Sequence, residues 1–350
     1  MVGLQSLRLG YVPYSNAFDH PGDRRRFCHY ANRRGFPLNI ADPNKTYDAV
    51  IVSEGGDLSV WSQYQKGKVI FDMVNANLDV PRTEMKGLMR GLAKFVSGQH
   101  HRLTFNYWRT IQEMCRNSEA VVCGSPEQAD RIRPFQSNVH AILDHHGMYD
   151  HVKEDFTPSD PFRLVWEGLP HNAAFFSEIK DVLVSLHHRH GLSLHVITTP
   201  LSKRFLSKYG SVRVESLLPP LPFPVFVYPW DERTVSSIIT SCDLALIPIP
   251  MKSAFNSLKP ENKLLIFWRM GMPVVTSAIP SYVRVMREAG VSQVCRNLSE
   301  WESTLERCIS DFSTRCETSD RGKKYVATHC REDHWLTKWD AVFSSMGLEL

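Results

Sequence analysis

Short apolar runs and longer stretches of helical periodicity take turns along this chain. Runs at 7–12, 47–52, 69–74, 119–124 and 139–144 are rich in Val, Ile and Leu and end in turn-forming residues, which predicts five strands in the first half. A second set at 162–168, 192–199, 225–228, 243–250 and 274–276 repeats the pattern. Between them lie predicted helices at about 22–34, 84–109 and 172–188, and one opening at Ser125-Pro126, a serine cap followed by a first-turn proline. At 260–270, Leu264, Leu265 and Trp268 share one helical face, and Gly271 and Pro273 supply the stop. Strands alternating with helices in this way predict parallel sheets covered by helices, an α/β fold.

Charge and proline crowd together at 149–161, which marks a linker between a first domain at 1–148 and a second at 162–330. A chain of 350 residues can bury a core in each. Hydrophobic and charged fractions of 43% and 22% are those of a soluble globular protein, and a net charge of +4 is too slight to argue for nucleic acid. No run of 18 apolar residues predicts a membrane span, and the first residues lack the pattern of a secretory signal. Eight cysteines without a Cys-x-x-Cys pair argue against a disulfide framework and a zinc site, and predict a reducing compartment, the cytoplasm.

Candidate chemistry follows from address. A loop leaving the first strand of a parallel sheet sits at its carboxyl edge, where ligands bind. Asp19 and His20 lie on that loop, and Asp23 and Arg24 just beyond it; Arg25 and Arg26 read as a solvated basic helix face. Asp72 is embedded in the 69–74 run, so its carboxylate is either partnered by backbone groups or functional. The 84–109 stretch interleaves Lys86, Arg90, Lys94, His100, His101, Arg102 and Arg109 with Met85, Leu88, Met89, Leu92, Phe95 and Val96. It reads as an amphipathic helix with one face on the sheet, or as a basic helix on an anionic membrane surface. Asp144-His145-His146 ends the last strand of the first half, with no third or fourth ligand at metal-binding spacing. In the second half, Gly168 leads through Leu169 and Pro170 to His171 and Asn172, a strand–loop–helix junction whose N–H groups suit a diphosphate. It is not a G-x-G-x-x-G fingerprint, which disfavours a dehydrogenase. Lys259, Asn262 and Lys263 place two cations and an amide at the start of the 260–270 helix, where bound phosphate is favoured; an ordinary solvated cap is the alternative. Trp230 reads either as core or as part of a binding loop.

Taken together, the Tyr228-Pro229-Trp230 loop, the strand Asp243-Leu244-Ala245-Leu246-Ile247-Pro248 and the block from Asn262 to Ser277 resemble the C-terminal half of GT-B glycosyltransferases. Asn262, Lys263, Leu264, Gly271, Pro273, Val274, Val275 and Ser277 fall in matching places of a motif that reads N-K-L-x-E-x-x-x-x-G-x-P-V-V-x-S. The likeness is to the retaining kind with a Glu-x7-Glu motif, but both glutamates are replaced, by Leu258 and Ile266. The resemblance implies two Rossmann-like domains facing across a cleft, acceptor in the first and nucleotide sugar in the second, with a terminal helix at 331–350 packing back on the first.

What the resemblance implies about function is transfer of a sugar from a nucleotide diphosphate sugar to a glycan, lipid-linked or small-molecule acceptor. Gly168, His171, Asn172, Trp230, Lys259, Asn262 and Lys263 would hold the donor, with fixed positive charge in place of a metal ion and no other cofactor. Asp19, His20 or Asp72 would serve as base if configuration inverts. A catalytically silent sugar- or nucleotide-binding relative, motivated by Leu258 and Ile266, and a nucleotide-sugar epimerase are the alternatives. The expected place is the cytoplasm, with membrane-surface contact through 84–109 bringing the protein to the inner face of the membrane.

Overall fold

A computed structural model of the chain describes residues 7–75, 78, 85–102, 106–203 and 210–349. It divides into two compact units. The first (Met1–His145, Leu258–Pro260 and Glu332–Leu350) is built on a sheet of five parallel strands in the order β1-β2-β3-β4-β5. These are β1 (Leu9–Val12), β2 (Ala49–Ser53), β3 (Lys68–Met73), β4 (Ala120–Cys123) and β5 (Val139–Ala141). Helices α1 (Pro21–Arg24), α2 (Phe27–Arg34), α3 (Leu58–Trp61), α4 (Met85–Val96), α5 (Tyr107–Asn117) and α6 (Pro126–Ile132) lie between them. Successive strand residues enter opposite cores, Ala49, Ile51 and Ile70 on one side and Val50, Val52, Val69 and Phe71 on the other. Trp335, Trp339, Val342 and Phe343 of the C-terminal helix complete the first of these cores.

Before entering β2 the chain passes along the outer side of β1, where Tyr11 forms a parallel bridge with Ile40. It then crosses to pair β2 with the other side of β1, in the register Val12↔Val52. That reversal makes the carboxyl ends of β1 and β2 a topological switch point, the place where open α/β sheets leave a crevice.

The second unit (His146–Ser257 and Glu261–Arg331) has six parallel strands in the order β10-β7-β6-β11-β12-β13. They are β6 (Phe162–Glu167), β7 (Leu192–Thr198), β10 (Val225–Pro229), β11 (Leu244–Ile247), β12 (Val274–Ser277) and β13 (Val294–Cys295). A two-stranded antiparallel hairpin, β8 (Leu201–Lys203) with β9 (Ser211–Arg213), stands apart. Leaving the hairpin aside, this is the doubly wound order, with its switch point between β6 and β11. Around the sheet run α7 (Lys180–His190), α8 (Val235–Thr240), α9 (Ala254–Ser257), α10 (Asn262–Arg269), α11 (Pro280–Glu288), α12 (Leu298–Ser310) and α13 (Phe312–His329). The C-terminal helix of the first unit is α14 (Glu332–Ser345).

Two expected elements differ. The 84–109 stretch is two helices rather than one: α4 stops before Gly98, at φ +73°, and α5 starts where the Asn106 side chain accepts from the N–H groups of Trp108 and Arg109. Residues 84 and 103–105 of that stretch lie outside the described residues. The helix expected from Asn172 begins as a 3₁₀ segment, Pro170–Ile179, and becomes α-helical only at Lys180.

Candidate functional site

In the second unit three strand ends are tied together at the carboxyl edge. Thr198 at the end of β7 donates from its hydroxyl to the carbonyl of Gly168, just past β6, at 2.6 Å. The Thr198 carbonyl accepts from the backbone N–H of Trp230, just past β10, at 3.1 Å. From α10, beyond β11, the Lys263 ammonium donates to the Glu167 carbonyl at 2.5 Å, with Glu167 Oε2 at 3.5 Å and the Trp166 ring centroid at 5.4 Å. Gly168 has no room for a side chain: a Cβ there would lie 2.5 Å from Lys263 Nζ and 2.6 Å from the Trp166 ring. The missing Cβ is therefore what lets a cation sit against the backbone at the switch point of this sheet.

Gly168, Trp230 and Lys263 thus converge, and Asn262 stands at the first position of α10. His171 and Asn172 lie on the 3₁₀ segment that leaves Gly168; His171 is exposed, whereas Asn172 is buried and donates its backbone N–H to Leu169. Lys259 is grouped differently. Its three-residue stretch, Leu258–Pro260, belongs to the first unit, where Gln128 Nε2 donates to the Leu258 carbonyl and Pro260 packs on Gly124. The start of α10 also differs from expectation, because its cap is Glu261, whose buried carboxylate accepts from Arg284 Nη2 at 2.8 Å. That carboxylate is engaged by Arg284 and makes no cap hydrogen bond to the helix N–H groups. Ile266 is buried among the apolar residues of α10.

The carboxyl edge of the first unit is organised by Tyr14. Its ring stacks on His20 at 4.6 Å and is flanked by Gly22 and Gly55, where a Cβ would come within 2.6 Å and 2.8 Å of it. Its hydroxyl donates to Glu54 Oε2 at 3.2 Å; Asn75 donates its backbone N–H to Oε1 at 3.1 Å and its amide to Oε2 at 2.6 Å. Asp23 is fully used in holding the loop, accepting from the Tyr11 hydroxyl and the N–H groups of Tyr14 and Ser15. Glu54 is only 7% exposed, and burial raises its pKa to about 7 against the pull of its donors. A carboxyl that titrates near neutrality, at a switch point, is suited to proton transfer.

The three residues expected as bases fare differently. Asp72 is buried between β2 and β4 and receives Arg26 through Nε at 2.9 Å and Nη2 at 2.6 Å, while Arg26 Nη1 reaches the Ile142 carbonyl at 2.7 Å and Asp144 at 3.2 Å. Arg26 is thus no solvated face residue. Burial opposes its charge, but Asp72 and Asp144 hold its pKa above the ordinary value. With both oxygens on one guanidinium, Asp72 knits β3 to the β5 exit. His20 Nδ1 accepts from the Gly22 N–H at 3.0 Å, so the neutral ring carries its proton on Nε2 and presents a donor. Desolvation lowers its pKa. Asp19 is exposed, and a hydrogen bond from Ser15 lowers its pKa.

Glu54, Tyr14 and Asn75 were the residues to find. An acid directly after an apolar strand and before Gly55-Gly56 was the available signal.

Each unit is a Rossmann-like α/β layer, and the chain has the GT-B type of fold. Three solved structures show the likeness. HepE of Anabaena, determined in complex with UDP and glucose, matches with a TM-score of 0.64 at 10% identity, over 97% of this chain and 100% of its own. WaaG, a glycosyltransferase involved in lipopolysaccharide biosynthesis, matches at 0.56 and 12% identity over 97% of this chain and 100% of its own. TarM matches at 0.61 and 10% identity over 84% of this chain, which spans only 54% of TarM. No family model matches the sequence. No curated protein matches it. Among the described residues no helix is long and apolar enough to cross a membrane.

Proposed function

We propose that this chain is a glycosyltransferase moving a hexosyl or deoxyhexosyl group from a nucleotide diphosphate sugar to a glycan, lipid-linked or small-molecule acceptor, in surface polysaccharide or glycoconjugate synthesis. The observation that carries the reading is Lys263, held against the Glu167 carbonyl at 2.5 Å beside Gly168, where a Cβ would collide with its ammonium. Negative charge builds on the diphosphate as the glycosidic bond breaks, and a preorganised ammonium with neighbouring N–H donors lowers that barrier without a metal ion in the donor site. In this reading His171, Asn172 and Asn262 bring their side chains to the donor, Gly168 allows its close approach, and Trp230 frames the base. Lys259 enters this reading only as a further cation carried by the first unit.

The acceptor belongs to the first unit in this reading. Glu54 is the base there if configuration inverts, in preference to Asp72, which is committed to Arg26, and to His20 and Asp19, which bind the acceptor as donor and acceptor of hydrogen bonds. Membrane-surface contact is supported by α4, which exposes Met89, Leu92, Phe95 and Val96, the last at 77%. Arg90 is exposed beside them, whereas Lys94 is buried over the Tyr107 ring at 4.5 Å. The apolar stripe expected to pack on the sheet thus faces outward over its described part. That arrangement suits an inner membrane face.

Nucleotide release tests the activity: UDP-, GDP- and TDP-sugars are incubated with glycan and lipid-linked acceptors, and free nucleotide and product are followed. Acceptor-dependent release from one donor, lost in Lys263→Ala, is the expected result. Donor binding without release would instead identify a silent relative, and altered sugar without release an epimerase.

A further inference from the structure

Outside these edges the fold of the first unit gathers three residues far apart in sequence. His29 of α2, His145 just beyond β5 and Glu332 at the start of α14 place one ligand atom each within 4.8 Å of one another. The imidazoles of His29 and His145 lie 4.0 Å apart between ring centres, and the Trp335 ring lies 5.5 Å from one and 5.6 Å from the other. His29 Nε2 is 2.7 Å from Glu332 Oε1. Arg33 donates to the other oxygen, Oε2, at 2.7 Å, which turns Oε1 towards the imidazoles. The backbone around His145 is pinned by its N–H to the Arg25 carbonyl at 2.7 Å, and Trp335 is pinned by its indole N–H to the Leu143 carbonyl at 2.8 Å.

We infer that His29, His145 and Glu332 form a binding site for one divalent transition-metal ion, zinc by preference, that clasps α14 to α2 and the exit of β5. Two imidazoles and a carboxylate are a ligand set that zinc takes in four-coordinate sites, with water in the remaining position. Bonds of about 2.0–2.1 Å put tetrahedral ligand atoms roughly 3.3 Å apart, so a metal would need His29 and Glu332 to part by about half an ångström and the His145 nitrogen, within 4.8 Å of both, to close in on it. His29 and Glu332 keep 25% and 31% of their side chains exposed, which leaves an entry path and space for the water. Arg33 acts as a positioning residue, holding the carboxylate by its outer oxygen, and nitrogen ligands favour zinc, cobalt or nickel over magnesium or calcium.

The test is titration of chelator-treated protein with Co(II), read by the visible absorption of a tetrahedral centre, and with Zn(II), read by melting temperature. Wild type is expected to bind one equivalent of Co(II), which Zn(II) displaces, and to melt higher with zinc. His29→Gln, His145→Gln and Glu332→Gln should each lose the absorption and the zinc-dependent rise in melting temperature. Arg33→Ala should keep the spectrum but weaken binding by about tenfold. Circular dichroism identifies any variant that fails to fold, and the three ligand substitutions are independent of one another. Absence of saturable binding to wild type, or binding that survives in the folded variants because cysteines elsewhere hold the ion, overturns the inference.

Discussion

At the scale of single residues, two of the buried carboxylates of the first unit, Asp72 and Glu54, meet opposite fates. Asp72 is neutralised by Arg26, a partner 46 positions earlier, whereas Glu54 accepts from the Tyr14 hydroxyl and the Asn75 amide. Burial of Glu54 sets a pH dependence whose sign follows from its pKa, raised from 4.5 to about 7. Between those values the folded state holds a proton that the unfolded chain has released, so stability falls as pH rises through that window and stays lower above it. Glu54→Gln removes the titration. Urea melts at pH 4 and pH 8 should show the variant gaining about 3 kcal/mol on wild type between the two. Parallel pH profiles for the two proteins would contradict the assignment. Neither fate was legible in the sequence, because Arg26 finds Asp72 and Asp144 at separations of 46 and 118 residues. Local reading saw Arg26 only as one of three successive arginines.

Local signals did fix elements. Ser125 caps α6 by accepting from the Gln128 N–H with Pro126 at the first turn, and Gly271 ends α10 at φ +69° with its N–H on the Trp268 carbonyl. Gly271→Ala forces a Cβ into that left-handed conformation within 3.3 Å of the Lys153 carbonyl. The expected loss is about 1–2 kcal/mol in denaturant melts, with the fold kept. An unchanged midpoint would show that the turn relaxes. At 84–109 periodicity leaves two readings open, an apolar face on the sheet or a basic helix on a membrane surface. In α4, Arg90 and Lys94 make cation–π contacts with the Tyr107 ring at 5.0 Å and 4.5 Å, while Met89, Leu92, Phe95 and Val96 stay exposed. Sedimentation with anionic vesicles should carry wild type down, and Leu92→Asp with Val96→Asp should leave it in solution. Equal sedimentation of both would remove α4 from the membrane reading.

For the whole molecule, strand alternation was enough to read two parallel α/β layers, because each strand's apolar run is local. The order of strands is not local. Both switch points, β1 against β2 and β6 against β11, emerge only from pairing, and the residues with the strongest chemical case stand on them. Lys263 and Gly168 meet at the second of these points, while Lys259, two residues before the cap of α10, is grouped with the first unit. The central claim is a donor site built on Lys263. Calorimetric titration of UDP, GDP and TDP into wild type and Lys263→Ala tests it most directly. A charge-assisted hydrogen bond of about 1.5–3 kcal/mol predicts that one nucleotide binds wild type and loses roughly 10- to 100-fold in the variant. Equal affinity of the two proteins for every nucleotide, or no binding to either, would contradict the account.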